Sequence, residues 1–107
     1  MESGPSLSTY CVYTMRHTDC LVNALQEGGV GTVTENKRWV RGEELFRQAR
    51  RNDERMPVLF APAERDGGLI YYAFLNTVCV EDADSKTTYS FSGLTPFDEE
   101  RPKSSLV

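Results

Sequence analysis

The sequence predicts an α+β domain built on a small, strongly curved, mostly antiparallel β-sheet or barrel with two flanking helices. Three observations carry this expectation. Between Met56 and Leu94, three runs rich in aromatic and branched residues are separated by two turn signals, the pattern of a meander with half-buried faces. Directly before them, Glu43 to Asn52 places Leu45, Phe46 and Ala49 on one helical stripe. Near the start, Ser8 to Met15 alternates like a strand and runs into a second helical segment.

Met1 to Leu7, with Gly4, Pro5 and two serines, precedes any pattern and reads as a loose terminus. From Ser8 to Met15, apolar groups fall on both faces, which suggests a central strand. Thr18 or Asp19 can then cap a helix whose residues Leu21, Val22, Ala24 and Leu25 share a face, and Gly28-Gly29 can end it. Gly31 to Val40 is the least determined segment, with valines and threonines favouring short extended pieces and Glu35-Asn36-Lys37 reading as a turn. Gly42 introduces the second helix, whose early acids Glu43 and Glu44 and late Arg50 and Arg51 suit the helix dipole.

Pro57 opens the first strand of the meander, where a missing donor does little harm. Asp66-Gly67-Gly68 turns the chain into the long run Leu69 to Val80, in which Asn76 marks a bulge or bend. Asp82-Ala83-Asp84-Ser85 returns it into Thr87 to Leu94, and Asp98 to Val107 reads as a flexible tail. The domain expected to be ordered therefore runs from residue 8 to residue 97.

At 107 residues the chain can close one core and has no room for a second domain. Hydrophobic residues at 39% and charged residues at 26% exclude wholesale disorder. Sixteen acidic against twelve basic residues give a net charge of −4, so nucleic-acid binding would need a local basic patch. One candidate is present, because Lys37, Arg38, Arg41, Arg47, Arg50, Arg51 and Arg55 fall close together, although a solvated helix face explains the same run. Cys11, Cys20 and Cys79 are an odd number without CxxC spacing, which argues against a disulfide framework or a zinc site and fits a reducing cytoplasm. No apolar run is long enough to span a bilayer, so no membrane partner is expected, and no residue set calls for a cofactor.

The order of Arg38-Trp39-Val40-Arg41-Gly42, the helix Glu43 to Arg51, the strand Pro57-Val58-Leu59-Phe60 and the strand Gly68-Leu69-Ile70-Tyr71-Tyr72-Ala73 resembles the PUA-like fold group, especially its EVE and ASCH branches. The resemblance covers residues 8 to 97 in topology, and its motifs are of low specificity. Ala61-Pro62-Ala63 stands where EVE domains carry a polar and aromatic strand ending, Asp53-Glu54-Arg55-Met56 replaces the glycine-aspartate turn, and an ASCH-type lysine and glutamate signature is not evident.

The resemblance implies a non-catalytic module that accepts a nucleobase, often a modified one, in a pocket beside the sheet. Such a pocket needs an aromatic face, worth about 1 to 3 kcal/mol per stacked base, with polar groups for the base edge and cations for the phosphates. Trp39, the single tryptophan, is the expected stacking residue, with Arg38 and Arg41 on phosphate; a plug over one end of the core is the alternative role for Trp39. Tyr13, Arg16 and His17 lie where the first strand meets the first helix and are expected at the pocket rim, His17 having a surface or capping role as its alternative. Tyr71 and Tyr72 point to opposite faces, so at most one of them, taken as Tyr72, lines a pocket.

Two other function classes compete. A protein-interaction domain, or a subunit of a larger parent chain, would use exposed aromatics for a protein partner, and Ser105-Leu106-Val107 resembles a PDZ-binding terminus. A small hydrolase would use Cys20 or Cys11 with His17 as base, but no orienting third group is evident and Cys20 adjoins Leu21 and Val22 on a face expected to be buried.

Overall fold

A computed structural model describes residues 6–102. In chain order its elements are β1 (Ser6–Leu7), β2 (Val12–Arg16), α1 (Thr18–Gln26), β3 (Gly31–Glu35), α2 (Val40–Arg51), β4 (Glu54–Arg55), β5 (Pro57–Pro62), β6 (Leu69–Glu81) and β7 (Lys86–Arg101). Five strands form one sheet in the order β2-β5-β6-β7-β3, while β1 and β4 pair separately. The fold is α+β with two helices, but the sheet is mixed and unclosed rather than a barrel: β2 runs parallel to β5, and the other pairings are antiparallel.

Two expectations about the first strand are corrected. It spans Val12–Arg16 rather than beginning at Ser8, and it is an edge strand rather than a central one. Tyr13 and Met15 are exposed, so only the Val12, Thr14 and Arg16 side turns inward. A parallel pair needs a long crossover, and here α1, β3 and α2 together make the return from β2 to β5.

The amphipathic α1 buries Leu21 and packs Ala24 on the core, while Leu25 is exposed, which makes its apolar stripe narrower than its composition suggests. Its N-cap is His17, neither Thr18 nor Asp19, and His17 makes no capping hydrogen bond from its side chain. Gly28 and Gly29 end the helix with φ of 97° and 77°, conformations that favour glycine. The Gly29 carbonyl then accepts the Leu94 N–H at 3.1 Å, tying the end of α1 to β7.

The second helix starts at Val40, ahead of the expected Glu43, with Gly42 inside its first turn. Phe46 and Ala49 are its buried residues. Glu43 anchors it: Oε2 accepts the Val80 N–H at 2.9 Å, at the part of β6 that has run past β5.

The long hairpin β6-β7 bends at register shifts. Asn76 is the extra residue between the pairs Leu75↔Phe91 and Thr77↔Ser90, the bulge its mid-strand position predicts. On β7, Gly93 adopts φ 68° where Phe74↔Ser92 gives way to Tyr72↔Thr95. β7 continues to Arg101, pairing it with Leu69, so strand extends into the segment from Asp98 that reads as a tail. Ser6 and Leu7, expected in the loose terminus, pair with Glu54 and Arg55. The remaining terminal expectations, including the Ser105-Leu106-Val107 ending, lie outside the described residues.

The core lies on the concave side, where Val58 and Phe60 of β5, Ala73 and Leu75 of β6, and Tyr89 and Phe91 of β7 meet Leu21, Phe46 and Ala49 of the helices. No helix among the described residues is long and apolar enough to cross a membrane.

Candidate functional site

The strand order leaves β2 and β3 as opposite edges of the sheet, and the curl of the sheet brings these edges back toward each other. They meet through side chains. Thr14 Oγ1 on β2 donates to Glu35 Oε2 on β3 at 2.7 Å, across positions that no backbone ladder joins. Along this seam lies an open cleft of about 460 Å³, lined by residues 13–16 of β2, residues 34–37 of β3 and the turn after it, and Ala63.

A local contrast gives this cleft its character. On the inward side of β3, after Gly31, Val33 is buried and Glu35 half-buried, so a carboxylate occupies the place where a strand would otherwise continue its apolar face. Glu35 is held from two sides, because Oε2 also accepts the Tyr89 hydroxyl at 3.0 Å. Tyr89 is fully buried, and burial first, then the neighbouring Glu35 charge, push its phenol far above the ordinary range; Arg16 opposes that shift. The phenol therefore remains a protonated donor, and Arg16 lies close enough to act on the same cluster. Two cations, Arg16 and Lys37, and one carboxylate line the cleft, with Tyr13 as its aromatic and Asn36 and Thr34 as neutral polar groups.

Of the residues singled out from sequence, Tyr13 and Arg16 line this cleft. Trp39 does not. It is half-buried at the N-terminus of α2 and stacks on Tyr89 with centroids 4.6 Å apart and planes 21° apart. Its backbone N–H donates to Thr87 Oγ1 at 2.9 Å, and the same hydroxyl donates to the Lys37 carbonyl at 2.7 Å. Buried Thr87 thus fixes the loop that carries Lys37 into the cleft and Trp39 onto Tyr89.

Arg38 and Arg41 are ion-paired elsewhere, Arg38 to Asp82 at 2.7 Å and Arg41 to Glu44 at 2.8 Å. His17 sits next to Arg16 but faces Glu64, with Nδ1 3.8 Å from the carboxylate. That carboxylate accepts both the hydroxyl of Thr18, at 2.5 Å, and its backbone N–H, at 3.0 Å, so Glu64 from the β5-β6 connection serves as a long-range cap for α1. The Thr18 hydroxyl, the Thr18 N–H and Glu64's own N–H, with a smaller contribution from His17, lower the Glu64 pKa to about 2.

Tyr72 belongs to a different place. It packs with Phe74 and Phe97 at centroid distances of 6.1 and 5.2 Å, while Tyr71 packs against the core. Arginines cover part of this aromatic group, Arg55 lying 3.6 Å over the Phe74 ring and Arg101 5.6 Å over Phe97.

The cysteines Cys11, Cys20 and Cys79 are all exposed free thiols, which corrects the expectation that Cys20 is buried. Among the described residues no group of three or more His, Cys, Asp and Glu side chains is arranged to hold a metal ion.

The sequence marks Lys37 as part of the basic run beside Trp39, and reads Glu35, Asn36 and Lys37 as a turn rather than as cleft residues. The available signal was the alternation from Val33 to Glu35, which becomes readable only once β3 is recognised as a strand. No protein-family model, curated protein or solved structure matches the chain.

Proposed function

We propose that the protein is a non-catalytic recognition module that binds a nucleotide or single-stranded nucleic acid, with the base, in its ordinary or a modified form, held in the β2-β3 cleft. The observation that carries this is the gathering, along one open seam, of an aromatic side chain, two cations and a set of edge-reading polar groups. In this arrangement Tyr13, on the outer face of β2, offers a stacking surface at the rim of the seam, Arg16 and Lys37 attract phosphate, and Glu35 and Asn36 read the base edge. Trp39 acts from behind, supporting Tyr89 and through it Glu35. The PUA-like resemblance belongs to the same proposal, since a base held in a pocket beside the sheet is what that resemblance implies.

Trp39 is the single tryptophan, so its fluorescence reports on the cleft through Tyr89. Titration with a short single-stranded oligonucleotide should change this signal, with an affinity that falls as salt rises. Lys37→Ala should lower the salt slope by about 0.7, the value for one phosphate contact on a single strand. Absence of binding at low salt to both the oligonucleotide and the free nucleotides would refute the proposal.

A second function rests on the cluster Tyr72, Phe74 and Phe97. Aromatic residues with arginines on a sheet face resemble the anchors of a protein interface. Under that role, pull-down of a protein partner would survive nuclease treatment and be lost on Tyr72→Ala.

A further inference from the structure

We propose that the cleft selects guanine, and that Glu35 is the residue that reads it; this rests on nucleotide binding at the same site. Glu35 is held through one carboxylate oxygen. Both its donors, Thr14 Oγ1 and the Tyr89 hydroxyl, land on Oε2, and Oε1 takes neither of these bonds. An ionised carboxylate has about four acceptor positions. Two are used to fix its orientation, and those on Oε1 remain for a ligand. Because Thr14 and Tyr89 come from β2 and β7, the carboxylate is set in place before any ligand arrives.

A carboxylate only accepts, so it favours a base that presents two donors side by side, as guanine does next to its O6 carbonyl. On its Watson–Crick edge guanine presents N1–H beside its 2-amino group, two adjacent donors that can converge on one oxygen. Adenine and cytosine set a ring-nitrogen acceptor beside their amino donor, and uracil flanks its one N–H with two carbonyls. Each offers Oε1 a single donor with an acceptor lone pair beside it, where guanine offers two donors. Desolvated polar groups left facing each other in this way are what makes such discrimination large.

An arginine side chain of a peptide also carries adjacent N–H donors. The charges of the cleft disfavour it: Arg16 and Lys37 lie on the same seam and would repel a guanidinium, whereas they attract the phosphate attached to a base.

Calorimetric titration of the full chain with GMP, IMP, AMP, CMP and UMP tests the inference. GMP should bind about tenfold more tightly than AMP, CMP or UMP, the scale of one additional hydrogen bond to a charged group. IMP, which keeps N1–H and lacks the 2-amino group, should fall between. Glu35→Gln should remove the preference while leaving the melting temperature near that of the parent, because its amide oxygen can still accept from Thr14 and Tyr89. If that variant does not fold, the GMP-to-IMP ratio on the unaltered protein carries the test by itself. Binding of all nucleotides without a guanine preference would overturn the guanine assignment and leave nucleotide binding standing. No binding of any nucleotide or oligonucleotide would overturn both, and an arginine peptide binding more tightly than GMP would overturn the assignment in favour of a protein ligand.

Discussion

Thr14 and Glu35, on the two edge strands of the sheet, are joined by a 2.7 Å hydrogen bond from Thr14 Oγ1 to Glu35 Oε2. The seam is therefore bridged by side chains and stays open elsewhere, which is what allows a cleft to exist there. A continuous backbone ladder at the same place would have closed the sheet and removed the site.

Thr14→Val tests the bridge. It keeps the shape of the side chain but removes the donor, leaving Glu35 bonded to Tyr89. Stability should fall by about 1 kcal/mol, the usual worth of such a bond, and nucleotide affinity should fall with it as the carboxylate loses one of its two fixed directions. Urea denaturation and the nucleotide titration read the two effects, and a variant unchanged in both would show the bridge to be idle.

Trp39→Ala should destabilise the fold by about 2–3 kcal/mol, at or below the bottom of the range for fully buried aromatics because the indole is only half-buried. Thr87→Val should cost about 1–3 kcal/mol, since it strands both the Trp39 N–H and the Lys37 carbonyl. The two changes act on one loop, so the double variant should lose less than the sum in equilibrium denaturation.

The cap formed by Glu64 makes a pH prediction. Its folded pKa, about 2, lies below its ordinary 4.5, so the stabilisation is fully present above 4.5 and is lost as pH falls toward 2. Glu64→Gln lacks this titration. Thermal melts at pH 5 and pH 2.5 should show the parent losing more stability than the variant over that interval, the difference removing the parallel effect of Glu100, whose pKa is also lowered.

Tyr89 gives the opposite limb. Its folded pKa is raised, chiefly by burial, so the stability linked to its neutral form is present below the unfolded value of about 10 and is lost as pH rises beyond it. In an absorbance titration one of the five tyrosines should resist ionisation until the alkaline unfolding transition. Tyr89→Phe should remove that late step and should loosen Glu35.

Much of the frame was legible because it follows from local chemistry. The meander, the stripe of Phe46 and Ala49 and the Asn76 bulge are written in periodicity and turn residues. The tyrosines of β6 were also legible in part, since alternation alone separates Tyr71 from Tyr72. What was not legible depends on pairing. Val12 and Tyr13 look like a central strand until the parallel register Val12↔Val58 leaves β2 at an edge. Glu35 looks like a turn residue until β3 pairs with β7 and turns it toward Tyr89. Trp39 drew notice as the single tryptophan, but its contact with Tyr89 spans fifty positions of sequence, and nothing local encodes that.

The central claim is that the seam between β2 and β3 is where a nucleotide or single strand binds, and backbone-amide NMR during titration with a short single-stranded oligonucleotide tests it most directly. The account predicts the largest shift changes at Tyr13, Thr14, Met15 and Arg16 and at Thr34, Glu35, Asn36 and Lys37, with those of Tyr72, Phe74 and Phe97 nearly unmoved. Changes centred on Tyr72, Phe74 and Phe97, or no saturable change at low salt with either the oligonucleotide or GMP, would contradict it.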